Sequence, residues 1–194
     1  MLPEERVYSA LVVSASEPFN RALPDLLPAA SFSPVKVAGG VGIAKRILAE
    51  RDFDFVIVNA PLPDDVGVRF AIDTADLCST VVLFLIKAEQ YDKVGDKLME
   101  HGVFLMQKPF SRAAFGFAAD WLISARERLR KTEKKTLSIE EKMNEIRLVN
   151  RAKWLLISEL KMTEPDAHRY IEKQAMDRCV PKRRIAEEII QTYT

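Results

Sequence analysis

Four short runs of apolar and β-branched residues do most to limit what this chain can fold into. Val7 to Val13 ends at Ser14-Ala15-Ser16, Phe53 to Val58 ends at Asn59-Ala60-Pro61, and Val81 to Ile86 and Val103 to Met106 follow. A shorter run, Val35 to Ala38, lies between the first two. Strands this continuously apolar must be covered on both faces. The intervening segments supply the cover, because Pro18 to Leu27, Gly42 to Glu50, Val66 to Ala75 and Tyr91 to His101 carry apolar residues at helical spacing. Strand and helix in alternation predict an α/β fold with a parallel five-stranded sheet. Ligand sites in such sheets lie beyond the carboxyl ends of the strands. Ser14, Ala15, Ser16, Asn59, Lys87 and Lys108 are therefore the first candidates.

The order of these turns resembles the receiver domain of response regulators, which is flavodoxin-like, over residues 6 to 125, and we place this domain at 1–125. Asn59-Ala-Pro-Leu-Pro-Asp-Asp-Val-Gly67 is similar to the loop after the phosphoacceptor strand, and Lys108-Pro109-Phe110 to that family's lysine and following proline. The resemblance implies an acid pair after the first strand to hold magnesium through oxygen ligands, an acceptor aspartate, and a hydroxyl residue on the fourth strand. Here Ser14, Ala15 and Ser16 replace the acids, Asn59 replaces the acceptor, and Lys87 or Ile86 occupies the hydroxyl position. A degenerate pocket without metal, cofactor or phosphoryl transfer is expected. Asp64 and Asp65 are expected to be solvated beyond it. Lys87 and Lys108 either hold another anion or, as we expect, point to water and to local backbone respectively.

From Phe115 to Asn150 a seam at alternating spacings of three and four runs through Leu122, Leu129, Ile139, Met143 and Ile146, flanked by charges from Arg126 to Lys135. Two pictures fit this 112–150 linker. One is a long helix pairing with its twin in a homodimeric coiled coil. The other ends the receiver's last helix near Ile123, leaves Arg126 to Lys135 as a solvated link, and starts a new helix at the capping box of Ser138 to Glu141.

Beyond it, Arg151 to Lys161, Ala167 to Arg178 and a third segment after Pro181 read as three helices. Thr163, Glu164, Pro165 and Asp166 start the second. Leu160, Tyr170 and Met176 fall on the apolar stripes of this small bundle. Ala152-Lys153 before a Leu-Leu-Ile run, the acidic start after Met162, Gln174-Ala-Met-Asp177, and the Arg-Ile-Ala-Glu around Ile185 resemble the ANTAR family, and we place that all-α domain at 136–194. The resemblance implies binding of paired hairpins with six-base loops in leader RNA, favouring transcription antitermination. Candidate RNA contacts are Arg151, Ala152, Lys153, Trp154, Arg169, Arg178, Lys182, Arg183 and Arg184.

With a net charge of +1, any polyanion site must be a local patch. Cys78 and Cys179 form no disulfide framework, and His101 and His168 add no metal cluster. No nucleophile with a base is evident, so no enzyme is expected. The polar N-terminus and the absence of an apolar run near ~20 residues predict a cytoplasmic protein. A protein-interaction adaptor and a DNA-binding regulator remain alternatives, and without phosphorylation a regulatory protein partner is one way to set the active state.

Overall fold

The structure, a computed structural model, describes residues 6–77 and 79–193. Cys78 and the polar start ahead of Arg6 lie outside the described residues. The elements run β1 (Tyr8–Val13), α1 (Glu17–Leu26), β2 (Phe32–Ala38), α2 (Val41–Glu50), β3 (Phe55–Asn59), α3 (Val68–Leu77), β4 (Val81–Lys87), α4 (Ala88–Glu100), β5 (Phe104–Lys108), α5 (Arg112–Leu160), α6 (Glu164–Asp177) and α7 (Lys182–Tyr193). The chain falls into two compact units that divide between Arg130 and Lys131.

In the first unit the five strands are parallel in the order β2-β1-β3-β4-β5, the flavodoxin-like arrangement. Successive residues point to opposite faces. Leu11, Val13, Val56, Val58, Phe84 and Ile86 pack under Ala44 of α2, Phe70 and Ala71 of α3 and Leu98 of α4. Ala10, Val12, Phe55, Ile57, Leu83 and Leu85 pack under Leu23 of α1 and Phe115, Ala119 and Leu122 of α5. Leu122 is thus a core residue of this unit, not part of a dimer seam.

The charged stretch after it is no solvated link at its start. Arg126 is buried, and its Nε donates to Asp54 Oδ1 at 3.1 Å, as Arg130 Nη2 does at 3.0 Å. Asp54 Oδ2 accepts from the backbone N and the Oγ of Ser9 at 3.0 and 3.1 Å. One carboxylate at the amino edge of the sheet therefore ties β1, β3 and α5 together. Beside it, Glu127 accepts from Arg6 Nη1 at 2.9 Å and from the Tyr8 hydroxyl at 3.1 Å.

No new helix begins at Ser138, because α5 is continuous through it. Between Gly116 and Leu160 the sequence has no glycine and no proline to break the ladder, and its Glu, Lys, Arg and Leu are good helix formers. A capping box inside such a run stays helical.

In the second unit the last turns of α5 pack with α6 and α7 around Ala152, Leu156, Ala167, Ile171, Ala175, Ile185, Ala186 and Ile189. Thr163 Oγ1 caps α6 by accepting from the Asp166 amide. Lys161 and Cys179 close α5 and α6 at positive φ, 55° and 51°, where the Val180 amide reaches back to the Ala175 carbonyl at 3.0 Å. Tyr170, expected in this core, is exposed, as are Leu160 and Met176. Four alanines at the contacts bring the helices too close for these larger neighbours to turn inward.

Burial alone would raise the Asp54 carboxyl, but the hydrogen bonds from Ser9 and Arg126 outweigh it and hold it below the ordinary 3.8. A depressed carboxyl stabilises the fold above its unfolded value and loses that contribution as pH falls through the folded one. Asp54→Asn is expected to cost about 2 kcal/mol near neutral pH. In thermal melts, the gap between wild type and variant should persist at pH 5 and close only below about pH 3.8.

Candidate functional site

At the carboxyl ends of the strands, the predicted pocket residues form a connected polar chain. Lys108, the last residue of β5, donates from Nζ to Asn59 Oδ1 at 2.8 Å and to the Ala60 carbonyl. Asn59, buried at the end of β3, turns its amide nitrogen to Ser14 Oγ at 3.0 Å, and the Ser16 amide donates to the same Oγ at 3.2 Å. Ser14 is buried, while Ala15 is exposed and takes no part. These hydrogen bonds satisfy one another without any carboxylate. The oxygen ligands a receiver-type magnesium site requires are missing from this position, so the residues do not fit that metal. Among the described residues no cluster of three His, Cys, Asp or Glu side chains is placed to hold an ion.

Lys87 and Lys108 are adjacent in register at the ends of β4 and β5. Burial, and secondarily the Lys87 charge, push the Lys108 ammonium below its ordinary pKa. Lys108 bonds local groups, and Lys87 is exposed.

Asp64 and Asp65 are not simply solvated. Asp64 reaches across to the start of α2, where Oδ1 and Oδ2 accept from the amides of Val41 and Gly42, each at 3.0 Å. Those bonds lower its pKa. It supplies the cap that Gly40, without a side chain, cannot, and a Cβ at Gly40 would stand 2.6 Å from Asp64 Oδ1. Asp65 Oδ1 accepts from the Gly67 amide at 2.7 Å, closing the turn into α3. Short-range spacing carries no sign of the first contact, which spans two loops.

The second unit gathers the other candidates. Ala152 is fully buried against the helices of this unit and offers no surface to a ligand. Its neighbours do. Trp154 is 71% exposed. The Lys153 side chain is mostly covered, 17% exposed, and its Nζ donates to Glu164 Oε1 at 2.7 Å. A groove of about 320 Å³ is lined by Asn150, Lys153, Trp154, Ile157 and Glu164. A second, of about 290 Å³, shares Asn150 and Lys153 and reaches His168 and Lys182. Asn150 and Glu164 were missed as site residues: the sequence marks Asn150 only as a seam position and Glu164 only as a helix-start acid.

The remaining cations divide. Arg178 pairs with Glu188, Lys182 with Glu172, Arg183 with Glu187 and Arg184 with Glu188. Arg151 and Arg169 are exposed with no ion pair recorded among the described residues. The fold brings Lys153, Trp154 and Glu164 together in one groove, whereas Arg178 and Arg184 share Glu188 and Arg183 pairs with Glu187, both acids on α7.

Residues 138–190 match the model of the ANTAR domain. The chain is 28% identical over 170 residues to the transcriptional regulatory protein PdtaR of Mycobacterium tuberculosis (strain CDC 1551 / Oshkosh), covering 88% of this chain and 83% of that one. The first unit resembles the signal receiver domain of an HD domain-containing protein from Pseudomonas fluorescens Pf-5, with TM-score 0.57, 22% identity, and 65% of this chain and 93% of that one covered. It also resembles the crystal structure of an adenylate cyclase from Rhodopirellula baltica, with TM-score 0.60, 18% identity, and 68% and 98% covered. At such identities the two structures speak for the fold alone. No helix among the described residues is long and apolar enough to cross a membrane. Residues 138–190 thus carry an ANTAR domain, and they follow a unit with the five-stranded receiver fold.

Proposed function

We propose that this protein binds the unpaired loops of paired hairpins in a leader transcript and so favours transcription antitermination, acting in the cytoplasm by binding and not by catalysis. The observation that carries the reading is the exposed Trp154 beside Lys153 on the ANTAR domain. Leaving an indole in water forgoes the ~1.5–3 kcal/mol that burying a large apolar side chain gives. A base splayed out of an RNA loop recovers it by stacking, and nearby cations neutralise the backbone. Lys153, Arg151, Arg169 and Lys182 are the cations best placed for this.

The receiver-fold domain acts without phosphorylation. Asn59 has no carboxylate to form an acyl phosphate, and the Ser14, Asn59 and Lys108 hydrogen bonds occupy the space where metal and phosphoryl would meet. Another input, such as a protein partner or chain concentration, sets the active state. Leu129, Ile139, Met143 and Ile146 are exposed along α5 at alternating three and four spacing, a stripe suited to a second copy of this helix. A homodimer then presents two ANTAR domains to two hairpins, so that the second contact is intramolecular.

Equilibrium binding to a two-hairpin leader RNA should exceed binding to the same RNA with scrambled loops and to duplex DNA. Log affinity should fall with log salt by about 0.7 per phosphate neutralised, and Lys153→Ala should weaken it. Equal binding to all three nucleic acids would overturn the reading in favour of a protein-interaction adaptor. Asn59→Asp alone should leave intact mass unchanged after acetyl phosphate, since the metal ligands are still missing, and robust labelling would refute the account of the pocket. Leu129→Glu with Ile146→Glu should halve the sedimenting mass, and an unchanged mass would remove the coiled coil.

A further inference from the structure

The receiver-fold unit has a groove away from its altered pocket. It lies between α1 and the edge strand β2, has a volume of about 450 Å³, and is walled by Leu23 and Leu27 on one side and Phe32, Val35 and Val37 on the other. That volume is within the roughly 300–1,000 Å³ of small-molecule sites. None of the lining residues carries a charge, in a chain of which 29% is Asp, Glu, Lys or Arg. An ionic ligand would find no counter-charge among them, so the groove suits uncharged, largely apolar molecules.

Its polar feature is Asn20, which lines the groove from α1. The amide nitrogen donates to the Ser14 carbonyl at 3.3 Å, and because a carbonyl can only accept, that contact fixes which end of the amide is oxygen. Asn20 Oδ1 is out of water and has no hydrogen-bond partner among the described residues. A buried acceptor left in this state is unfavourable, and a ligand that donates to it removes the cost. The bond to Ser14 is long, and the last torsion of an asparagine is soft. A small rotation therefore turns Oδ1 toward the groove. The Asn20 backbone adds to the same demand, since Pro24, four residues on within α1, has no N–H to give its carbonyl. Both groups accept, so the ligand must donate. A further β-strand is a poorer occupant, because Pro34 interrupts the backbone donors of β2, a device that keeps edge strands from pairing.

We propose that the groove between α1 and β2 binds an uncharged, largely apolar small molecule that delivers one N–H or O–H donor to Asn20. The site is separate from the ANTAR domain and does not depend on the RNA-binding reading. Through the Asn20 bond to Ser14 it lies one hydrogen bond from the Ser14, Asn59 and Lys108 chain.

The test titrates the isotopically labelled full-length chain with indole, an apolar ring system carrying one N–H, and with 1-methylindole, in which a methyl group replaces that hydrogen. Amide resonances of Asn20, Leu27, Val35 and Val37 should shift saturably with indole, and 1-methylindole should bind about tenfold more weakly. Asn20→Leu removes the acceptor at similar volume and should make the two probes bind alike. Val37→Glu sets a charge in the wall at a position already 45% exposed. Its circular dichroism should stay that of the wild type while saturable binding of both probes is lost. Equal affinity of the wild type for the two probes, or a preference for indole that survives Asn20→Leu, would overturn the assignment. So would shifts that never saturate or that centre outside the groove.

Discussion

The interior strands β1, β3 and β4 carry Val, Ile, Leu and Phe on both faces, nearly all of them out of water. A parallel sheet of that kind is stable only when helices cover it twice, and this requirement sets the roles of α1 to α5. It also explains the two behaviours of α5. Its first turns present Phe115, Ala119 and Leu122 to the sheet and are core. From Leu129 to Ile146 the large apolar positions have no sheet beneath them and stand exposed. The Asp54 carboxylate marks the change, since Arg126 and Arg130 anchor there.

Charge is treated oppositely at the two ends of the sheet. At the amino edge, Asp54 and Glu127 are matched against Arg6, Arg126 and Arg130, giving hydrogen-bonded ion pairs partly shielded from solvent. At the carboxyl edge the matching acids are gone. Asn59 and Ser14 supply neutral dipoles in their place, and Lys108 is held by an amide oxygen and a carbonyl. A neutral network of this kind fixes the lysine without the electrostatic imbalance that a phosphoryl group corrects in a receiver.

How much of this was legible depended on range. The strands, their parallel arrangement and the cap at Thr163 follow from period and spacing within ten residues, and they stand within a few positions of where the sequence puts them. β2 begins at Phe32, ahead of Val35, because only pairing with β1 reveals the half-exposed start of an edge strand. Asp64 on α2, Arg126 on Asp54 and Lys153 on Glu164 each join residues separated by a loop or more, and no local pattern encodes them. Tyr170 misled for the same reason: helical spacing gives the face of a helix, but only the neighbouring helices decide how wide the buried part of that face is. In the second unit, alanines make it narrow.

That narrowness bears on the functional surface. An exposed ion pair contributes little to stability, typically 0–1 kcal/mol, so the fold does not require Lys153 to meet Glu164. Nor does it require a tryptophan at position 154, where any helix former would serve the bundle. Ala152, one residue away, is under the opposite constraint, for it is fully buried and a larger side chain would part the helices. Side by side on α5 are thus a residue set by packing, Ala152, and one that packing leaves undetermined, Trp154. The second kind is where selection for a ligand can act without cost to the fold, and on this domain it lines a groove of about 320 Å³ together with Lys153 and Glu164.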